Sequence, residues 1–121
     1  MSERAVRDWF EKWNARDIDG AMEHVAEGCH YNDFAFLRPH EGKASVRTLF
    51  ENVAKVAPGV GFLVHRITGD RDCGVLWEVT MEGKPTGRFG VSYYAFDEDD
   101  KLVWALDAAD PGESHRRLDF H

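Results

Sequence analysis

Arg88-Phe89-Gly90-Val91-Ser92-Tyr93-Tyr94-Ala95-Phe96 is the stretch that decides the fold class. In an extended chain, successive side chains point to opposite faces, so Arg88, Gly90, Ser92, Tyr94 and Phe96 share one face and Phe89, Val91, Tyr93 and Ala95 the other. Both faces carry bulk. The same period of two, rich in β-branched and aromatic residues, recurs over Phe62 to Thr68, Val75 to Met81 and Leu102 to Leu106. Four strands are predicted. Gly69-Asp70-Arg71-Asp72, Glu82-Gly83-Lys84-Pro85 and Asp97-Glu98-Asp99-Asp100 separate them, and such short polar turns join antiparallel neighbours. The sheet reads as a meander.

Upstream the period is helical. Val6, Trp9, Phe10 and Trp13 form one apolar stripe among charged residues, which predicts an amphipathic helix. Asp17 is placed to cap a second, shorter helix with Ala21, Met22, Val25 and Ala26 on its apolar face and Gly28 as its stop. A short segment around His30 to Phe36 and a loop with Pro39 and Gly42 lead to a third helix with Val46, Leu49, Phe50, Val53 and Val56, ended by Pro58-Gly59. Three N-terminal helices followed by a strongly curved, mainly antiparallel sheet describe an α+β domain covering 1–110. The polar stretch 111–121 has no apolar stripe to dock it and is expected to be a frayed tail.

At 121 residues, 43% hydrophobic and 12% aromatic, the chain supplies one core and one domain. Fifteen Lys and Arg against 22 Asp and Glu leave a net charge of −7, a field that repels phosphate backbones and anionic headgroups. Neither nucleic acid nor a membrane surface is an expected partner. The longest apolar runs, such as Gly59 to Val64, fall far below the ~18 to 20 residues that span a bilayer. The first residues enter a charged amphipathic pattern directly, so a soluble, cytoplasmic protein is expected. Cys29 and Cys73 lack metal-binding or redox spacing and read as reduced thiols. There is no nucleotide-binding glycine motif, no serine-hydrolase elbow and no histidine pair at helical spacing, so no cofactor and no metal are expected.

A bent sheet wrapped around a helix encloses a concave pocket suited to a small molecule. The segments Asp17-Ile18-Asp19-Gly20, Cys29-His30-Tyr31-Asn32-Asp33-Phe34, Glu41-Gly42-Lys43-Ala44-Ser45-Val46, Met81-Glu82-Gly83-Lys84-Pro85 and Tyr94-Ala95-Phe96-Asp97 resemble the NTF2-like cone fold. Within it, the SnoaL-like and ketosteroid-isomerase-like proteins are the nearest in pattern, over roughly residues 3 to 110. That fold hosts isomerases, cyclases, dehydratases, epoxide hydrolases and binding modules, so the resemblance specifies architecture more than chemistry.

The resemblance puts Asp33 where the isomerases place their general base, while Asn32-Asp33 is equally good turn chemistry. The isomerases' oxyanion donors are replaced here by Trp9 and Ser92, weaker donors than a phenol and a protonated carboxyl, which argues against steroid isomerisation. Asp107 matches the catalytic aspartate of the SnoaL-like cyclases, with Ala105 on its face; the alternative is a strand-end acid that meets solvent or pairs with Arg88. A histidine partner for it could come only from His65, His30 or His40. An epoxide hydrolase would need an Asp-Arg-Asp set, of which Asp107 and Arg88 are only part. Alternation places Glu78 on the outer face with Leu76 and Thr80, and His65 with Leu63 and Ile67. His24, His115 and His121 are expected to face solvent.

The leading expectation is a cofactor-independent cyclase or isomerase. It would bind a flat, partly apolar carbonyl compound among Trp9, Trp13, Phe50, Trp77 and His65, with Asp33 or Asp107 as base. Tyr31, Ser92 and the Trp9 indole would hold the developing enolate oxygen, so the substrate should already be acidic, as in a polyketide or 1,3-dicarbonyl compound. The competing expectation is a non-catalytic ligand-binding or dimerisation module. Because the sheet has two apolar faces, a homodimer through the outer face is expected.

Overall fold

The computed structural model describes residues 2–110; the expected polar tail, with His115 and His121, lies outside them. Helix α1, Ser2–Asn14, buries Val6, Trp9, Phe10 and Trp13, the stripe read from the sequence, together with Ser2 and Ala5. It ends with Arg16 in the left-handed region at φ 60°. The Arg16 N–H reaches the Trp13 carbonyl at 2.9 Å and the Asp17 N–H reaches the Lys12 carbonyl at 2.8 Å, closing the helix as a Schellman turn. An arginine there is strained. Its guanidinium offsets the strain by donating to the carbonyls of Trp13 at 3.1 Å, Ala57 at 3.2 Å, Pro58 at 2.9 Å and Val60. The first helix is thereby tied to the segment that ends the third helix and starts the next strand.

Helix α2, Ile18–Met22, is capped as expected, the Asp17 carboxylate accepting from the Gly20 N–H at 2.9 Å. It stops earlier than its spacing suggested. Val25 begins strand β1, Val25–Asp33, instead of continuing the helix. The strand takes its hydrogen bonds from a parallel neighbour at the far end of the chain, a pairing that local spacing cannot announce. A short β2, His40–Glu41, pairs with it before helix α3, Lys43–Val56. The helices are therefore not an unbroken N-terminal block, because the sheet starts between α2 and α3. Val56, assigned to the buried face of α3, is 80% exposed.

Strands β3, Val60–Gly69, β4, Asp72–Met81, β5, Lys84–Phe96, and β6, Leu102–Ala109, form the expected antiparallel meander. The complete sheet is curled and unclosed, in the order β2-β1-β6-β5-β4-β3, with β1 parallel to β6. Helix α1 packs on β3 and β4, and the core fills the hollow of the sheet with Val6, Trp9, Phe10, Tyr31, Trp77 and Tyr94 among its members.

One irregularity changes the faces. The register of β3 against β4 shifts between Val64 and Arg66, so His65 lies at a bulge. Phe62 and Val64 pack on the core before it and Ile67 after it. His65 consequently does not share a face with Ile67, as uninterrupted alternation required.

The Arg16 clamp gives a direct test of this architecture. Arg16→Ala should cost about 2–3 kcal/mol in urea denaturation, since it removes several charge-assisted hydrogen bonds to carbonyls; a change within about 0.5 kcal/mol, typical of a free surface side chain, would contradict the clamp.

Candidate functional site

The middle strands of the sheet deliver the polar residues. Asp107 of β6 stands opposite Asp33 of β1 on one side and Ser92 of β5 on the other, while Ala105 stands opposite both Tyr31 and Tyr94. Ala105 is fully buried and alternation carries Asp107 to the same face, toward α1. Three hydroxyls converge on its carboxylate. Ser92 Oγ donates to Oδ1 at 2.5 Å, Tyr94 donates to the same oxygen at 3.3 Å, and the Tyr31 hydroxyl donates to Oδ2. Behind Ser92, the Trp77 indole N–H donates to Ser92 Oγ at 2.8 Å and fixes which way the serine hydroxyl points.

Trp77 can reach that position because Gly90 has no side chain. A Cβ at Gly90 would lie 2.2 to 2.6 Å from three carbons of the Trp77 ring, too close for any residue but glycine. The glycine in the middle of β5 thus belongs to the site.

A cavity of about 190 Å³ opens above these groups. Trp9, Trp13, Phe50, Phe62, Trp77 and Val53 supply much of its apolar wall, and Tyr31, Ser92, Tyr94, Asp33 and Asp107 its polar part. The rings pack edge-on: Trp9 on Phe50 at 5.1 Å and Phe62 on Trp77 at 5.0 Å.

Asp107 is half-buried because it lines this cavity, and the aromatic wall replaces bulk water around it. Burial pushes its carboxyl up from 3.8 to about 6. The hydroxyls of Ser92 and Tyr31 pull against that rise, and the neighbouring charge of Asp33 adds to it. Burial, followed by the Asp107 charge, also holds the Tyr31 and Tyr94 phenols well above their ordinary value, so both remain protonated donors at neutral pH.

Every site residue singled out from the sequence lines this cavity except His65. His65 lies on the outer face, its Nε2 at 2.8 Å from Glu78 Oε1 and its ring 5.6 Å from Phe89. Glu78 is outward as alternation implied, yet only 7% exposed. His65, followed by the Gly87 N–H at 2.8 Å, satisfies its carboxylate and holds it below the usual range. The other candidate histidine partners are also elsewhere. His30 pairs with Glu41 and stacks on Trp104, and His40 lies against Phe36. His24, expected in solvent, is half-buried and meets Asp8 at 2.7 Å. Arg88 turns to the Asp110 carbonyl at 3.0 Å rather than to Asp107, and no arginine among the described residues lines the cavity. The Asp-Arg-Asp set of an epoxide hydrolase is therefore not assembled.

Asp33 has the turn role and also a place in the cavity wall. Its carboxylate caps a turn by accepting the Ala35 N–H at 2.9 Å, and it also lines the cavity. Tyr94 was not singled out, although it shares the inward face of β5 with Ser92. Among the described residues, no three His, Cys, Asp or Glu side chains converge as a metal would require.

Residues 6–105 match the family model of the SnoaL-like domain. The chain belongs to that family. Comparison with solved structures agrees on the architecture. A SnoaL-like protein of unknown function from Burkholderia thailandensis superposes with a TM-score of 0.78 at 20% identity, covering 90% of this chain and 93% of that one. A proposed ketosteroid isomerase from Kribbella flavida gives 0.76 at 16% identity over 97% and 83% of the two chains. IdmH of Streptomyces antibioticus, a proposed polyketide cyclase, gives 0.75 at 12% identity over 91% and 92%. At these identities the likeness is one of fold. No curated protein matches the sequence. None of the described helices is long and apolar enough to cross a membrane.

The raised Asp107 carboxyl sets the sign of a stability change in this SnoaL-like domain. Between about 3.8 and about 6 the folded protein holds a proton that the unfolded chain releases, so stability falls as pH rises through that window and is level above it. The difference between 3.8 and about 6 corresponds to about 3 kcal/mol of destabilisation at neutral pH. Asp107→Asn carries no charge and should melt higher than wild type at about pH 8, with the gap closing below about pH 4. A variant destabilised equally at both pH values would contradict a desolvated carboxylate.

Proposed function

We propose that the protein binds a small, flat carbonyl compound in the aromatic cavity and moves a proton next to that carbonyl, as a cofactor-independent cyclase or isomerase with Asp107 as the base. The observation that supports this reading is the Asp107 carboxyl, brought to about 6 beside a cavity of about 190 Å³ by burial among three hydroxyls. A base is most effective when its pKa lies near the working pH, where it is ionised yet still avid for a proton.

The hydroxyls then have a second use. A carboxylate offers about four lone-pair positions and three are occupied here, leaving one for the proton taken from carbon. As Asp107 is neutralised it becomes a weaker acceptor, and negative charge appears on the substrate's enolate oxygen. The Tyr31, Tyr94 and Ser92 O–H groups can follow the charge from one oxygen to the other without losing a partner. These are neutral donors of ordinary strength, which favours substrates already activated, such as 1,3-dicarbonyl or polyketide-like compounds. An engineered apolar cavity of about 150 Å³ holds benzene, so this one encloses one or two rings. A four-ring steroid would have to protrude.

The test follows exchange of the benzylic protons of 2-tetralone, a bicyclic ketone acidic at that carbon, in D2O by proton NMR. Wild-type protein should accelerate exchange with an acid limb whose midpoint lies near 6. Asp107→Asn should lose about 10²- to 10⁴-fold of the rate and the limb with it. Acceleration unaffected by Asp107→Asn would contradict Asp107 as the base, and a ketone that binds wild-type protein with no acceleration of exchange would leave a binding module instead of an enzyme.

The outer face of the sheet supports a second copy of this chain as partner. Leu76, Phe89, Val91, Tyr93 and Trp104 remain 36% to 54% exposed across β4, β5 and β6, and contiguous apolar surface of this kind marks interaction sites. Glu78 and His65 within it satisfy each other. Pairing two such faces would bury these apolar side chains, with the exposed Arg66 beside Leu76 and Val91 and Asp72 bonded to Tyr93 as the charges on the face. Light scattering should give a dimer for wild type and a monomer for Val91→Glu, with 2-tetralone exchange retained; a wild-type monomer would contradict the pairing.

A further inference from the structure

The two carboxylates of the cavity wall are neighbours. Asp33 and Asp107 stand opposite each other on the parallel strands β1 and β6, whose backbones run about 4.8 Å apart, and both line the same cavity. Tyr31 and Ala105, two residues before them, are buried, whereas Ala35 and Ala109, two residues after them, line the cavity and are exposed. The pair therefore lies between the floor of the cavity and its mouth.

Nothing in the wall neutralises these acids. Among the described residues, no lysine, arginine or histidine lines the cavity, and no ion pair includes either carboxylate. Their hydrogen-bond partners are neutral: three hydroxyls for Asp107 and the Ala35 N–H for one oxygen of Asp33. Burial first, and then the charge of Asp33, raise the Asp107 carboxyl, so the two acids feel each other. A cleft lined by one sign of charge and walled by apolar groups concentrates its field, and half of the lining residues here are aromatic. Aromatic rings also tolerate a cation, because their faces carry negative charge density. An anion would be repelled.

We infer that the ligand is a cation, an amino carbonyl compound whose ammonium lies against Asp33 while Asp107 takes the proton from the carbon between ammonium and carbonyl. The spacing of the two acids places those groups on neighbouring atoms. In this step the C–H bond breaks, the proton passes to Asp107 and the electron pair becomes the enolate, with its charge on oxygen; the proton then returns to carbon. The substrate itself brings the positive charge that the wall lacks, and that charge acidifies the carbon to be deprotonated. Carbonyl compounds bearing a carboxylate or phosphate are excluded. The inference rests on the proposed reading of the cavity as a site of proton transfer.

Phenacyltrimethylammonium is permanently charged, and 3,3-dimethyl-1-phenylbutan-1-one has the same shape with carbon in place of nitrogen. Followed by tryptophan fluorescence at low salt, wild-type protein should bind the cation about tenfold more tightly than the neutral ketone, the reverse of what an apolar wall alone prefers. Asp33→Asn should abolish that preference. In wild-type protein labelled with ¹³C at the aspartate carboxyls, the saturating cation should also lower the Asp107 midpoint, because a nearby positive charge favours the ionised form. This second reading decides the matter even if the variant folds poorly. A neutral ketone bound as tightly as the cation, a preference that survives Asp33→Asn, or an Asp107 midpoint unmoved by the cation overturns the inference. If exchange of 2-tetralone depends on Asp107 while the cation has no advantage, the base assignment stands and only the charge selection falls. If the cation is preferred and no exchange is accelerated, the charge selection stands and the base assignment falls. If neither compound binds wild-type protein, both fall.

Discussion

A carboxylate in an aromatic wall must be given back the hydrogen bonds it loses to water, and the arrangement of this sheet is what gives them back to Asp107. Tyr31 comes from β1, Ser92 and Tyr94 from β5, and the aspartate itself from β6, so three adjacent strands must be in register for the group to exist. The strand order has a direct chemical consequence. Without the parallel pairing of β1 with β6, Tyr31 would not reach Oδ2 and Asp33 would not share the cavity. Further out, Gly90 admits Trp77, and Trp77 fixes Ser92. The compromise is partial: the hydroxyls hold the carboxyl below the value burial alone would set, and burial keeps it above that of a solvated aspartate.

This balance limits the chemistry. Under the proposed reading, three neutral hydroxyl donors and room for roughly one or two rings favour small, already acidic carbon acids over steroids. The charges are also segregated. Acid is concentrated around Asp107 and Asp33, while the cation nearest the cavity wall, Arg16, lies behind Trp13.

Much of this was legible in the sequence where local rules suffice. Period-two alternation grouped Ser92 with Tyr94 and Asp107 with Ala105 without saying which face was inward, and the helical stripe of α1 put Trp9 and Trp13 on the core side. The failures have one physical origin, which is that long-range pairing overrides local spacing. Val25 and Ala26 fit a helix face but belong to β1, because β6 offers Val25 a strand partner some eighty residues away. His65 fits the alternation of Leu63 and Ile67 but sits at a bulge that β4 imposes on β3. Tyr94 was visible on the inward face of β5, but its role depends on the distance to a carboxylate on β6.

The central claim is that Asp107 is a desolvated carboxyl poised near neutrality, and the most direct measurement is its own titration. In protein labelled with ¹³C at the aspartate side-chain carboxyl, with the Asp107 signal assigned by its absence in Asp107→Asn, the carboxyl shift is followed against pH. A midpoint near 6 is expected. A midpoint at or below 3.8, the value of a solvated aspartate, would contradict it.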